Sequence, residues 1–395
     1  MDTREMNRKI IYITAILIVS AVHTMAQYDD FQEKVKGVEK QFAPDKRTVI
    51  FDVKLAQSDG KAVLEGETSS AEAYQVLESM IPSGMENNIR LLPDAAIGEK
   101  DWGLIYNSVE KLHRSNSYAS ETVTEVLLGT PVRLLDKKKS WRRVQTPEGY
   151  TGWVSEAIEP MTERELREYN QKEKVVVVAP YVLAYEKNNA SGDVVSNLVA
   201  GNILELKSEI SGFYQVSYPD GREAYILKED AKKLREWITH IEYSQSSIVN
   251  QAKRFMGVPY VWGGTSSQGL DCSGFTKLTY FLHGVILPRD ASQQVHCGEL
   301  IDETGDYGKL QPADLVFFGE KSDDENDRER IVHVGISIGN RRFIHASDYI
   351  KINSFDPADP LYDEYNTKRY LKTKRIVGDA ERKGYSNLTD NDFYR

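Results

Sequence analysis

Two cysteines in 395 residues are too few to staple a chain of this size, so Cys272 and Cys297 do not make a disulfide framework. A single bridge between them stays open as an alternative, and it would abolish the thiol chemistry developed below. A concentrated basic surface is also missing. Fifty Lys and Arg stand against 60 Asp and Glu, a net charge of -10, which argues against a nucleic-acid partner or an anionic membrane surface. Beyond the first 26 residues no run is apolar enough to span a bilayer. With 40% hydrophobic residues the chain is not of the disordered class, and its length allows several domains.

The first 26 residues differ from the rest. Arg4, Arg8 and Lys9 precede an apolar run over 10–22 that ends at Thr24, Met25 and Ala26, the layout of a secretory signal cleaved between Ala26 and Gln27. The mature protein is expected to be exported, to the periplasm or beyond the cell, with no membrane span and as a monomer. An uncleaved anchor is the alternative, although the run is shorter than the ~20 apolar residues a spanning helix needs.

Residues 27–101 suggest a small α+β unit: strands over 47–56 and 61–67 joined through Ser58, Asp59 and Gly60, then a helix opened by Ser69 and Ser70 and running through Met80. No chemical motif falls there. From 102 to 236 the chain repeats itself at a constant offset of 72. Val123, Gly129, Val132, Trp141, Val144, Pro147, Gly149 and Trp153 align with Val195, Gly201, Leu204, Phe213, Val216, Pro219, Gly221 and Tyr225. Short alternating stretches and turns at Pro147-Glu148-Gly149 and Pro219-Asp220-Gly221 describe two small antiparallel barrels, 102–165 and 166–236. The stretch 149–154 resembles bacterial SH3-like domains, and its copy at 221–226 has drifted. The remaining unit, 237–395, holds all recognisable chemistry.

A 3.6-residue period predicts a helix over 246–256. A second helix begins at Asp271 or Cys272, which puts the thiol at a positive dipole end that favours the thiolate and offers amides to an oxyanion. An inert buried cysteine is the plainer alternative. The strand over 331–338 alternates strictly, with Val332, Val334, Ile336 and Ile338 on one face and His333, Gly335 and Ser337 on the other. His333 is the candidate base, with Gly335 leaving room for a substrate, and His345 on the next strand is its candidate orienting partner. Both rings share a face only if His345 lies opposite Gly335, which requires a three-residue loop over 339–341 or an equivalent bulge.

Asp271-Cys272-Ser273-Gly274-Phe275, His333-Val334-Gly335-Ile336 and Phe343-Ile344-His345-Ala346-Ser347 resemble, in order and spacing, the three motifs of the NlpC/P60 cysteine peptidases. Tyr260-Val261-Trp262-Gly263-Gly264 and the segment 287–293 match further family stretches. The resemblance implies an α+β, papain-like catalytic domain behind two SH3-like barrels, a Cys272-His333-His345 triad, and no metal or cofactor. It further implies cleavage between γ-D-glutamate and meso-diaminopimelate or L-lysine in peptidoglycan-derived peptides with a free N-terminal L-alanine. Carried over by position, Asp271 becomes the ammonium partner, Tyr260 and Ser273 line the site, Asp290 adds a polar contact, and Tyr150 reaches in from the first SH3-like copy. Two other readings remain: an amidase or acyltransferase on another amide, and a wall-binding protein with vestigial catalysis. The acidic stretch 321–330 reads as a solvated loop or as a flap over the cleft.

Overall fold

The computed structural model describes residues 28–58, 61–321 and 329–395. The signal segment expected at 1–26, the Asp59-Gly60 turn and most of the acidic stretch lie outside the described residues. The chain divides into two units, 1–96 and 97–395.

In the first unit a helix over 28–42 (α1) precedes a hairpin of β1 (Phe51–Ser58) and β2 (Lys61–Thr68), helix α2 (Ala71–Met80) and strand β3 (Glu86–Leu91), which pairs in parallel with β2. Ser70 caps α2 by accepting the Ala73 amide at 3.1 Å, the start its hydroxyl predicts. The first strand begins at Phe51 rather than 47, because Asp45 holds the Arg47 amide and guanidinium in a turn. Helix α1 and strand β3 were not anticipated. In β3 only Ile89 is buried, so the alternation that betrays a strand is absent. Phe31, Val35 and Val38 of α1 pack on Val53, Leu64, Ala73 and Leu77 to form this unit's core.

The repeat in the second unit is a structural one. The first copy has strands Trp102–Ile105, Val109–His113, Thr122–Leu127, Pro131–Lys138, Trp141–Gln145, Thr151–Ser155 and Ile158–Met161. The second has Lys174–Val177, Tyr181–Tyr185, Val194–Val199, Ile203–Ile210, Phe213–Ser217, Glu223–Leu227 and Ala231–Lys233, so that all but the last strand start 72 residues after their counterparts. Strand order is the same in both sheets. Gly149 and Gly221 both sit at φ +86° in the turn between the fifth and sixth strands, a conformation that disfavours any side chain. Each expected SH3-like copy is a seven-stranded antiparallel sheet, and among the described residues the strands at the two ends of its order do not pair with each other.

The remainder of this unit has helices α3 (Gln245–Lys253), α4 (Cys272–Phe281) and α5 (Ala291–Gln294) against an antiparallel sheet. Its strands are β4 (Glu299–Asp302), β5 (Leu315–Glu320), β6 (Arg330–Gly339), β7 (Arg342–Ser347), β8 (Tyr349–Ser354) and β9 (Tyr370–Arg375), in the order β4-β9-β5-β6-β7-β8. Helix α3 stops three residues before the predicted end, where the chain turns toward Gly257 at φ +82°. Phe275 and Leu278 of α4 pack against Ile248 and Ala252 of α3 and against Phe317, Val334, Ile336 and Ile344 of the sheet. Leu127 and Val199, one from each repeat, complete this core and weld both sheets to it. Each wholly buried phenylalanine here contributes about 2–3 kcal/mol of transfer free energy.

Candidate active site

Asp271 is the N-cap of α4 and Cys272 its first residue. The turn is tight because Gly274 passes directly over the Gly264 carbonyl; a Cβ there would lie 2.0 Å from that oxygen. The helix therefore seats on the 263–264 loop with Cys272 at its tip, where the amides of Val334, the residue after His333, and of Ser273 favour the thiolate.

His333 and His345 face one another from β6 and β7. Gly335 pairs with His345, and the register shifts between Ser337 and Gly339, so Ile338 forms a bulge ahead of a two-residue turn of Asn340 and Arg341, both at positive φ. The bulge supplies the extra residue that this pairing requires. Gly335 does not open space for a substrate, however. A Cβ on it would meet Ile344 O at 2.9 Å and His345 Cβ at 3.2 Å, so its role is to admit His345. The expected alternation of β6 also breaks at one end. A second bulge between the Phe318 and Gly319 pairings leaves Val332 exposed, and Ile331 packs on the core instead.

The hydrogen bonds around the rings fix their tautomers. Asn353 donates Nδ2 to the Leu361 carbonyl at 3.3 Å, which turns its Oδ1 to His345 Nε2 at 2.8 Å. His345 Nε2 is therefore the protonated nitrogen, and its Nδ1 accepts from His333 Nε2 at 2.7 Å. His333 Nδ1 is left with a free lone pair, as a base requires. Burial holds both imidazoles below the usual histidine range, and for His333 the neighbouring His345 and Arg369 add to the effect. The thiol goes the other way. Burial, and then the Asp271 carboxylate, push Cys272 up to about 12, against the opposing pull of the Val334 and Ser273 amides and of Arg289. The sequence predicted a lowered thiol, but a sulfur only 8% exposed beside a carboxylate outweighs one helix terminus. Burial thus favours the thiol over the thiolate and the neutral imidazole over its cation.

Asp271 is committed before any ligand arrives. Its Oδ1 accepts the Gly274 amide at 2.7 Å and its Oδ2 the Gly263 amide at 3.0 Å, and the buried guanidinium of Arg289 grips both oxygens at 3.2 and 2.5 Å. Ser273 is drawn into the same cluster. It donates to Asp271 at 3.3 Å and accepts Arg289 Nη1 at 2.9 Å, so its hydroxyl lies under the helix tip rather than lining the site. Arg289, for which the sequence suggested no role, is the hub. It is 2% exposed and also donates Nε to Thr124 of the first repeat at 2.7 Å.

Two of the other three predicted residues meet each other. Tyr150 donates its hydroxyl to Asp290 Oδ2 at 3.2 Å, across the seam between the first repeat and the start of α5, and Asp290 stays partly exposed. Tyr260 lies close enough to Cys272 and Asp271 for both to add to burial in raising its phenol. Glu121 and Glu125 of the first repeat reach the same loop. Glu125 Oε2 accepts the amides of Thr265 and Ser266 at 2.9 and 3.1 Å, and Glu121 accepts Trp262 Nε1 at 3.0 Å. The bridge to Cys297 is not made: both thiols are free, and Cys297 Sγ bonds instead to the Gly384 carbonyl.

The fold and this arrangement define an α+β protein of papain-like design with SH3-like sheets attached. Residues 257–375 match the NlpC/P60 family model and residues 112–157 the bacterial dipeptidyl-peptidase Sh3 domain. A γ-D-glutamyl-L-lysine dipeptidyl-peptidase of Bacillus cereus is 34% identical over 274 residues, 66% of this chain and 78% of that protein. Dipeptidyl-peptidase 6 of Lysinibacillus sphaericus is 26% identical, over 65% of this chain and 94% of its own. Among solved structures, an NlpC/P60 family protein from Bacillus cereus superposes with a TM-score of 0.59 at 25% identity, over 70% of this chain and 99% of its own. The chain belongs to the NlpC/P60 family.

Proposed function

We propose that this protein is an exported cysteine endopeptidase that hydrolyses the bond between γ-D-glutamate and a diamino acid, meso-diaminopimelate or L-lysine, in peptidoglycan-derived peptides with a free N-terminal L-alanine. The observation that carries the reading is the relay Asn353-His345-His333, which ends on the residue next to Val334, whose amide favours the Cys272 thiolate. The names of the similar dipeptidyl-peptidases support the choice of bond, and the leader-like segment 1–26 supports export.

In this reading Cys272 Sγ attacks the γ-carbonyl carbon while its proton passes to His333 Nδ1. Proton transfer accompanies attack, since the thiol is not ionised beforehand. The Cys272 amide, the first of α4, holds the oxyanion. As the carbon–nitrogen bond breaks, His333 returns the proton to the leaving amine. Water, deprotonated by the same imidazole, then opens the thioester and frees L-Ala-γ-D-Glu. His345 is a positioning residue, which keeps His333 Nε2 occupied and Nδ1 open. The substrate's ammonium goes to Asp290 with Tyr150 rather than to Asp271, because Asp290 stays partly exposed whereas Asp271 is buried against Arg289, and Tyr260 lines the adjoining wall.

Incubating L-Ala-γ-D-Glu-L-Lys and its diaminopimelate counterpart with the wild type and with Cys272→Ala tests the reading. Release of L-Ala-γ-D-Glu by the wild type and a loss of at least about 1,000-fold in the variant are expected. Equal release by both would overturn it.

A further inference from the structure

The walls beside the catalytic groups carry opposite charge. Toward the first repeat stands Asp290, partly exposed and touched by Tyr150. Beyond the imidazole pair stands Arg369, at the end of helix α6 (Glu364–Lys368) and immediately before β9. Tyr370 pairs with Phe318, which in turn pairs with His333, and the Arg369 carbonyl accepts the Gly319 amide at 2.9 Å. This cation is under-paired. Its Nη1 reaches the Tyr365 hydroxyl at 2.8 Å and its Nη2 the Asn366 amide oxygen at 3.1 Å, both neutral acceptors, and the guanidinium lies over the Tyr365 ring at 4.2 Å. Among the described residues its buried Nε has no acceptor and no carboxylate forms an ion pair with it. A guanidinium without a counter-charge among the described residues thus stands next to catalytic imidazoles that it disfavours protonating, and its bonds to Tyr365 and Asn366 leave its charge unbalanced.

We infer that Arg369 receives a carboxylate of the leaving diamino acid, so that the cleft reads its substrate by charge at both ends: ammonium at Asp290, carboxylate at Arg369. This rests on the proposed bond specificity and extends it to the departing side. On that side the acceptor imidazole already fixes the amide nitrogen, and the carboxylate nearest that nitrogen is the residue's α-carboxylate. The side-chain carboxylate of diaminopimelate is the other source of the same chemistry. Tyr365, two-thirds exposed, shields the guanidinium from water on one face and so strengthens the pairing.

The test compares wild type, Arg369→Lys and Arg369→Gln on three peptides: L-Ala-γ-D-Glu-L-Lys, its α-carboxamide, and L-Ala-γ-D-Glu-diaminopimelate with the α-carboxyl amidated and the side-chain carboxylate free. Arg369→Gln is expected to raise KM about 10- to 100-fold, with kcat little changed, on whichever peptide carries the recognised carboxylate. The α-carboxamide of the lysine peptide is expected to be cleaved weakly, and equally, by wild type and variant. Recovery by Arg369→Lys is expected in part, since ammonium restores charge but not the fork. A loss confined to the first peptide assigns the α-carboxylate, and one confined to the third assigns the side-chain carboxylate. An equal loss on all three, or a loss in kcat alone, overturns the inference and leaves Arg369 as a support for the imidazoles. If the wild type cleaves none of the three, the proposed bond specificity itself fails, and the inference falls with it.

Discussion

The two repeats share every strand and the same strand order, yet they meet the catalytic part in different chemical languages. The first speaks through polar side chains: Tyr150 to Asp290, Thr124 to Arg289, Glu125 to the Thr265 and Ser266 amides, and Glu148 to Lys277 at 3.0 Å. Seventy-two residues on, those positions hold Arg222, Ser196, Asn197 and Asp220, and their bonds stay among the repeats. Arg222 pairs with Asp220 and reaches the Tyr106 carbonyl, and Ser196 bonds the Tyr218 hydroxyl. What the second copy gives the catalytic core is mainly apolar: Val199 and Ala200 join its hydrophobic cluster and Gly201 lets Phe281 approach, while its polar contacts are peripheral, with the Pro180 carbonyl accepting the Ser267 hydroxyl and Asn170 donating to the Phe393 and Arg395 carbonyls. The scaffold was kept in both copies, and a role at the site depends on a few side chains on one of them.

The largest expected effect sharpens that contrast through two arginines. Arg289, 2% exposed at its side chain, is the one guanidinium on the Asp271 carboxylate among the described residues, whereas Arg222 in the second copy is 38% exposed. Arg289→Met leaves a buried carboxylate without its counter-charge and is expected to lower stability by about 3–5 kcal/mol. Arg222→Met should stay within about 0.5 kcal/mol of wild type. Chemical denaturation followed by tryptophan fluorescence measures both, and similar losses would erase the distinction between the copies.

A smaller effect is expected at Glu125. Its carboxylate satisfies two buried amides in the loop that backs the tip of α4, so Glu125→Ala strands both and should destabilise the protein by about 2–4 kcal/mol. Its counterpart, Asn197→Ala, should cost no more than about 0.5 kcal/mol. If the two variants melt alike, the loop does not depend on the first copy.

How much of this was legible in the sequence depends on whether a residue's partners lie near it in the pattern. The repeat was readable because Val132, Val144 and Gly149 keep their spacing in Leu204, Val216 and Gly221, and spacing is what sets strand order. The register of β6 and β7 was readable because two rings on one face admit a single pairing. The fate of Asp271 was not. The same aspartate suits a helix cap, an arginine partner and a ligand for ammonium, and only the fold brings Arg289 under it. Asn353 was overlooked although it shares the face of His345 one strand over; the alternation 349, 351, 353 would have found it once a third strand was assumed. Strand β3 and the bulge at Val332 left no signal, since one exposes nearly every side chain and the other is an irregularity in a run of otherwise regular apolar residues.

The finest test separates recognition from support at Tyr150. Its ring is buried in the seam and its hydroxyl touches Asp290, so Tyr150→Phe keeps the packing and removes one hydrogen bond to a carboxylate. If Asp290 and Tyr150 together receive the substrate's ammonium, loss of the hydroxyl should raise KM about 5- to 10-fold for peptides with free N-terminal alanine and leave kcat nearly unchanged. N-acetylated peptides, which present no ammonium, should show no difference between wild type and variant. Arg222→Ala, at the same place in the second copy, should alter neither constant. A fall in kcat with KM constant would mean that the first copy acts by holding the helix tip in place rather than by reading the substrate, and the two copies would then differ in firmness of attachment alone.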